Sequence, residues 1–351
     1  MPISIKDVAV KAGVSPSTVS RVLANNPRIS PQTSERVRMV LKEMNYHPNE
    51  IARSLVRQRS RTLGLILPNA IDQFFLNPFF PEVLRGISQS ARKLGYDLFL
   101  STASQGLNDV ERLDQMVQSK RVDGVILLTV KLDDPLLKHV QDTHVPAVLI
   151  GRSPGQSMVA SINNDNKRAG YDATMHLLRL GHQRIGFIGG SPELILTIDR
   201  LAGYAQALSD GNVRFDPQLV TSEEFLEEGG YTGMMKLLAL PTRPSAIIAS
   251  DDVLAFGAMR AAGELGYHIP QDFAIVGFND IPLAKIANPP LTTMNVHIFE
   301  LGEGATTMLI DQIANRPGRS TESQIVPHDL IIRRSCGAWN PTNNLLSHLP
   351  Q

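Results

Sequence analysis

Along the first 46 residues, apolar side chains recur at helical spacing. Ile5, Val8 and Ala9 share a face in "SIKDVAVKAG", and Val19, Val22 and Leu23 do so in "SPSTVSRVL". In "SPQTSERVRMVLKEM", Val37, Val40, Leu41 and Met44 stand at i, i+3, i+4 and i+7, an amphipathic stripe. Start signals agree. Ser4 and Asp7 have capping-box spacing, and Ser15 and Ser30 each precede a proline, whose missing N–H costs little at the first helical position. Gly13 stops the first helix because glycine readily takes the left-handed conformation; Pro48 and Asn49 close the third. Two short helices around a glycine-bearing turn, braced by a third, predict a helix-turn-helix.

From residue 62 the pattern becomes short, nearly continuous apolar runs alternating with helical segments. "TLGLILP", "YDLFLST", "VDGVILLT" and "VPAVLIG" predict one set of strands; "RIGFIGG", "QLVTSEE", "SAIIAS" and "FAIVGFN" predict a second. Such runs suit parallel strands covered on both faces. The predicted fold is therefore an N-terminal all-α helix-turn-helix domain with a hinge helix, then an α/β body of two doubly wound parallel-sheet lobes. Ligands of open parallel sheets bind outside the strands' carboxyl ends, so a cleft between the lobes is the expected site.

Charge sharpens this division. The chain of 351 residues is formally neutral, yet residues 1–61 carry eleven Lys/Arg against four Asp/Glu, +7, leaving −7 on the rest. A basic module on an acidic body suggests a polyanion partner for that end. One cysteine, Cys336, excludes an intramolecular disulfide framework and a cysteine metal cluster. No secretory signal is recognisable at the start, and no apolar run approaches the ~20 residues of a membrane span, so a cytoplasmic, nucleoid-associated protein without membrane contact is expected.

Catalytic signatures are missing. "GFIGGSPE" has the wrong glycine spacing for a dinucleotide turn, no P-loop, nucleophile elbow or HExxH occurs, and the body's histidines are scattered. Neither catalysis, a metal nor a cofactor is expected. Strand ends instead carry planar polar groups and aromatic rings, which respectively clamp vicinal hydroxyls and stack on a pyranose. These are Phe79, Phe80, Asn163, Asp165, Arg200, Phe225, Asp251 and Asn279. Competing roles stay open: Asp165 as a helix cap, one of the two phenylalanines as a core lid, and Asp252 and Asp280 as lobe-to-lobe structural groups.

"SIKDVAVKAGVSPSTVSRVLAN" and "SERVRMVLKEMNYHPNEIARSL" resemble the LacI family of transcriptional regulators, departing at Ala24, where asparagine is common; the likeness runs to about residue 336. The resemblance implies a helix-turn-helix at 1–47, a hinge at 48–61, and a periplasmic-binding-protein-like body at 62–336 with a tail at 337–351. It implies a first lobe at about 62–161 and 292–320, and a second at about 162–291 and 321–336. "TTMNV" would thus open the return to the first lobe and "IVPHDLIIRRS" would finish in the second. Residues matching Pro16, Ser17 and Arg21 would reach base edges, and a guanidinium can pair bidentately with guanine. Thr18, Ser20, Asn25 and Ser30 would hold phosphates, and Ser15 is expected among the DNA-binding residues. Ala52 and Leu55 belong to the hinge, where Leu55 matches a wedge that inserts through the minor groove. The hinge would become helical where two copies meet on DNA.

Arg200 and Asp251 match the family's ligand-contacting positions. "LILPNAIDQFFLNPFFPEVLRGIS" and "TIDRLAGYAQAL" resemble its maltose-operon repressors. Expected partners are double-stranded, pseudo-palindromic operator DNA, a small sugar (maltose or a maltodextrin) and a second copy, as a homodimer or higher assembly. A corepressor-dependent regulator and a carbohydrate-binding receptor that does not read DNA are the competing readings.

Overall fold

The computed structural model describes residues 3–23, 25–46, 59–67, 75–102, 106–128, 131–155, 159–314 and 323–338. Ala52, Leu55 and the rest of residues 48–58 of the expected hinge lie outside them, as do residues 339–351 of the tail; residues 59–61 of that hinge are described and are not helical. The chain forms two compact units, Met1–Ser60 and Arg61–Gln351.

In the first unit, helix α1 (Ile5–Ala12) starts at the predicted capping box: Ser4 Oγ accepts from the Asp7 N–H while the Asp7 carboxylate accepts from the Ser4 N–H. That amide holds the Asp7 carboxyl below its ordinary pKa. Gly13, at φ +62°, ends the helix in the left-handed conformation. Helices α2 (Pro16–Leu23) and α3 (Pro31–Glu43) close over a small core of Val8, Ala9, Ala12, Val19, Val22, Val37 and Val40.

The second unit holds two six-stranded sheets. The first contains β1 (Thr62–Ile66), β2 (Asp97–Ser101), β3 (Gly124–Leu127), β4 (Ala147–Ile150) and β5 (Ala160–Asn164). Its helices begin with α4 (Phe79–Lys93), α5 (Asp109–Gln118) and α6 (Pro135–Thr143). The chain then enters the second lobe with α7 (Asn166–Arg179), β6 (Ile185–Gly189), α8 (Ile195–Asp210) and β7 (Val220–Ser222). It continues through α9 (Glu227–Leu238), β8 (Ala246–Ala249), α10 (Asp252–Glu264), β9 (Ala274–Phe278), α11 (Pro282–Ile286) and β10 (Thr292–Asn295). Helix α12 (Ile298–Ile313) and β11 (Ser323–Val326) return to the first lobe, and β12 (Asp329–Ile331) ends in the second. Sheet orders are β11-β5-β4-β3-β1-β2 and β12-β10-β9-β8-β6-β7, parallel except for the β10–β12 pair. Each sheet is covered by helices on both faces, which is why its central strands β3, β4, β8 and β9 are wholly buried.

The crossings depart from the expected pattern. Thr292–Asn295 does not open the return: it pairs with β9 in the second sheet. "IVPHDLI" is split, since Ile325 and Val326 pair with β5 in the first sheet and only Asp329 onward joins the second. The run at 160–164 is a complete strand of the first sheet, where the expected boundary cuts it at 161. Its two asparagines hide it from a hydrophobic reading. They are tolerated because they are bonded: Asn164 Nδ2 donates to the carbonyls of Val296 (2.9 Å) and Val326 (3.1 Å), tying the three crossing segments together.

Candidate functional site

On the first unit, the buried Val19 and Val22 turn the other side of α2 outward, so Pro16, Ser17, Ser20 and Arg21 are all exposed. A helix whose outer face is small and hydroxylated, with one guanidinium, can approach a groove closely. The other polar residues named for DNA contact have local partners. Ser15 Oγ accepts from the Thr18 N–H and bonds the Thr18 hydroxyl at 3.0 Å, setting the start of α2. Ser30 caps α3 by accepting from the Thr33 N–H. Asn25, at φ +51°, accepts from Arg38 Nη2 at 2.8 Å and so joins the end of α2 to α3.

In the body, a cavity of about 380 Å³ lies between the lobes at the carboxyl ends of the strands. Seven of the eight expected effector residues line it: Phe79, Phe80 and Phe225 supply rings, and Asn163, Arg200, Asp251 and Asn279 supply polar groups. Asp165 is the exception. Its carboxylate accepts from the Arg168 N–H at 2.8 Å and caps α7, the competing role left open by sequence. Both phenylalanines of "NPFF" face the cleft, edge to face at 5.4 Å, while also packing on the first lobe's core.

Arg200 is the electrostatic centre. It is buried, with Nε donating to Asn166 Oδ1 at 2.9 Å, Nη1 donating to the Ser250 carbonyl, and its guanidinium 4.5 Å above the Phe278 ring. Burial pulls its pKa down to about 10, against the attraction of Asp251 and Asp252. Its helix is seated by a glycine pair: a Cβ on Gly170 would stand 2.3 Å from the Arg200 carbonyl, and one on Gly203 would stand 2.0 Å from that of Lys167. "GFIGG" also acquires a purpose. A Cβ on Gly190 would stand 2.2 Å from the Phe225 ring, so the glycine makes room for a cleft aromatic.

Asp251 opens α10, and its carboxylate accepts from three donors: the Val253 N–H on Oδ1, and Asn77 Nδ2 (3.1 Å) and Asn279 Nδ2 (2.9 Å) on Oδ2. Burial raises its pKa, partly offset by these bonds. Asn279 has φ +108°, a conformation rarely taken by residues with a side chain, and its buried Oδ1 has no partner among the described residues. Asp252 and Asp280 are not lobe-to-lobe groups. Asp252 accepts from the Thr293 hydroxyl and the Ile281 N–H, and Asp280 pairs with Arg333, each within the second lobe. Desolvation raises the Asp252 pKa well above its ordinary value.

Sequence reasoning missed Asn77, Asn166 and Ser250 in this network. Asn166 links Asn163 to Arg200, donating to the Asn163 amide oxygen at 3.1 Å while accepting from the arginine. It also missed the lobe-to-lobe bonds beside the cleft. Arg152 grips Asp199 through Nε and Nη2 at 2.8 and 2.7 Å, and Lys131 pairs with Glu193 at 3.2 Å where Leu132 N–H donates to the Glu193 carbonyl. No described helix is long and apolar enough to cross a membrane.

Comparison with known proteins bears on both units. Residues 4–49 match the model of bacterial regulatory proteins of the lacI family, and residues 174–336 match a periplasmic binding protein-like domain. The chain is 39% identical over 338 residues to the HTH-type transcriptional regulator MalR of Streptococcus pneumoniae serotype 4, covering 94% of this chain and 99% of the relative. Among solved structures it is similar to a complex of the transcriptional regulator CelR with cellobiose (TM-score 0.74, 30% identity, 95% of this chain and 99% of that one). It is also similar to the lac repressor dimer bound to operator and the anti-inducer ONPF (TM-score 0.84, 27% identity, 96% of this chain and 99% of that one). A capped helix-turn-helix with an outward arginine, joined in one chain to a two-lobed binding body and matched nearly end to end, makes this protein a member of the lacI family, a DNA-binding transcriptional regulator and not an enzyme.

Proposed function

We propose that this regulator is a repressor released from a pseudo-palindromic operator by a carbohydrate, maltose or a maltodextrin, bound between the lobes of a homodimer's subunits. The observation that carries the reading is the composition of the cleft: three phenylalanine rings on its walls, with Arg200, Asn163, Asp251 and Asn279 among them. Rings stack on the apolar face of a pyranose while planar amides, a guanidinium and a carboxylate bond its hydroxyls. Asn279 Oδ1, which has no partner among the described residues, is an acceptor suited to a sugar hydroxyl. The resemblance of "LILPNAIDQFFLNPFFPEVLRGIS" and "TIDRLAGYAQAL" to maltose-operon repressors favours maltose, and the cellobiose complex of CelR supports a disaccharide.

Release requires the sugar to bind the DNA-competent and DNA-free states unequally, since equal affinity shifts nothing. A thermal-shift panel of mono- and oligosaccharides tests the ligand class. Maltose at 100 times its dissociation constant is expected to stabilise the protein by about 2.7 kcal/mol. No shift with any sugar would reject the carbohydrate reading. Mobility shift with an operator fragment gives the sign: maltose weakens the complex of an inducible repressor and tightens that of a corepressor-dependent one.

A further inference from the structure

Asn77 is 4% exposed and precedes α4, in the first lobe, yet its side chain bonds the second. Its Nδ2 donates across the cleft to Asp251 Oδ2 at 3.1 Å and towards the Phe225 carbonyl at 3.4 Å. Its Oδ1 accepts from the Phe79 N–H at 2.9 Å, which fixes the side chain at the head of α4. The two halves of this amide thus do different things: the oxygen serves the local turn, and the nitrogen joins the lobes.

The acceptor matters as much as the donor. A carboxylate oxygen has about two lone-pair directions, and Asp251 Oδ2 already accepts from Asn77 and Asn279. A ligand hydroxyl donating to that oxygen therefore competes with Asn77. We propose that Asn77 is a latch, a positioning residue that holds the lobes together through Asp251 and yields its place there to a ligand hydroxyl. Occupancy of the cleft and the lobe-to-lobe bond then draw on one oxygen atom, which couples binding to lobe geometry without a separate relay. Arg152–Asp199 and Lys131–Glu193 join the same lobes, but in neither pair do both partners line the cleft: Lys131 does and Glu193, Arg152 and Asp199 do not. The competition half of the proposal rests on the carbohydrate reading above; the latch half does not.

Two variants separate the roles. Asn77→Asp keeps an acceptor for the Phe79 N–H but turns the donor facing Asp251 into a second carboxylate oxygen. Asn77→Ser keeps a short acceptor and removes the reach. Spin labels on cysteines replacing the exposed Lys138 in the first lobe and Ala202 in the second, in the full chain with buried Cys336 left in place, report the lobe separation by dipolar spectroscopy. With labelled chain diluted by unlabelled chain so that only distances within one subunit are read, the parent is expected to give one narrow distribution, and both variants a longer and broader one. A parental distribution in both variants would overturn the latch and leave Asn77 as a local turn residue. Calorimetry with maltose and with cellobiose then tests competition. Asn77→Ser is expected to bind the sugar that the parent binds about tenfold more tightly, the worth of one hydrogen bond to a charged group. Unchanged or weaker binding would overturn the competition. Failure of both sugars to bind the parent counts against the carbohydrate reading, while the distances still decide the latch.

Discussion

The helix-turn-helix and the cleft solve opposite problems. In the first unit the residues expected to meet DNA are exposed side chains on a short helix, and the structure asks only that α2 be held at its ends and along one face. In the cleft the polar residues proposed to meet a ligand are buried, and Arg200 and Asn279 are each bonded to the protein before they can be offered to one. Exposed groups are independent of one another, whereas buried polar groups are members of a network. Substitutions should therefore act differently in the two places, removing binding alone in one and binding together with stability in the other.

Arg200→Met gives the largest expected effect. The change strands Asn166 Oδ1 and the Ser250 carbonyl in a buried site and removes the stack on Phe278. Relief of the desolvated charge offsets part of that loss, leaving roughly 2–3 kcal/mol of destabilisation. Denaturant unfolding should show it, and the sugar-dependent thermal shift should vanish. A variant as stable as the parent would break the comparison, because Arg200 would then be a bystander in its own network.

Arg21→Ala is expected to be the mirror image. Truncation of one bidentate base contact costs about 1–3 kcal/mol of operator affinity, so mobility shift should show binding weakened roughly tenfold to a hundredfold. Unfolding should be unchanged, since Arg21 is exposed and the core beneath it is made by Val19 and Val22. Operator binding equal to the parent's would remove Arg21 from base reading.

The same contrast governs what could be read from the sequence. The head was legible because its signals are local: Ser4 and Asp7 are three residues apart, and the apolar stripe of α3 fits in two turns. The lobes were legible as alternating runs, and strand ends pointed to seven cleft residues. Asn77 was not legible. It meets Asp251 across 174 residues of chain, and only the topology brings them together. Asn166 stands 34 residues from Arg200 and reads as one more polar residue at a helix start. The strand at 160–164 was lost for a related reason, because Asn163 and Asn164 break the apolar pattern, and Asn164 is satisfied by segments 132 and 162 residues away. A signal was nevertheless present in "NPFF", where an asparagine stands immediately before the proline and the cleft aromatics.

Asp165 sharpens the comparison at its smallest scale, since it lies two residues beyond cleft-lining Asn163, where β5 passes into α7. If proximity in sequence decided function, both would bind ligand. The bonds say otherwise: the Asp165 carboxylate is committed to the Arg168 N–H, whereas Asn163 is tied through Asn166 to Arg200. Asp165→Ala should therefore cost about 1 kcal/mol, the usual worth of an N-cap, and lower the unfolding midpoint without altering sugar affinity. Asn163→Ala should reverse the balance, weakening sugar binding more than it weakens the fold, because Asn166 keeps its acceptor bond from Arg200 and its contact to the Asn164 carbonyl. Equal loss of sugar affinity in the two variants would mean that the cap itself shapes the cleft, and that the line between holding the helix and holding the ligand falls inside this turn, not on either side of it.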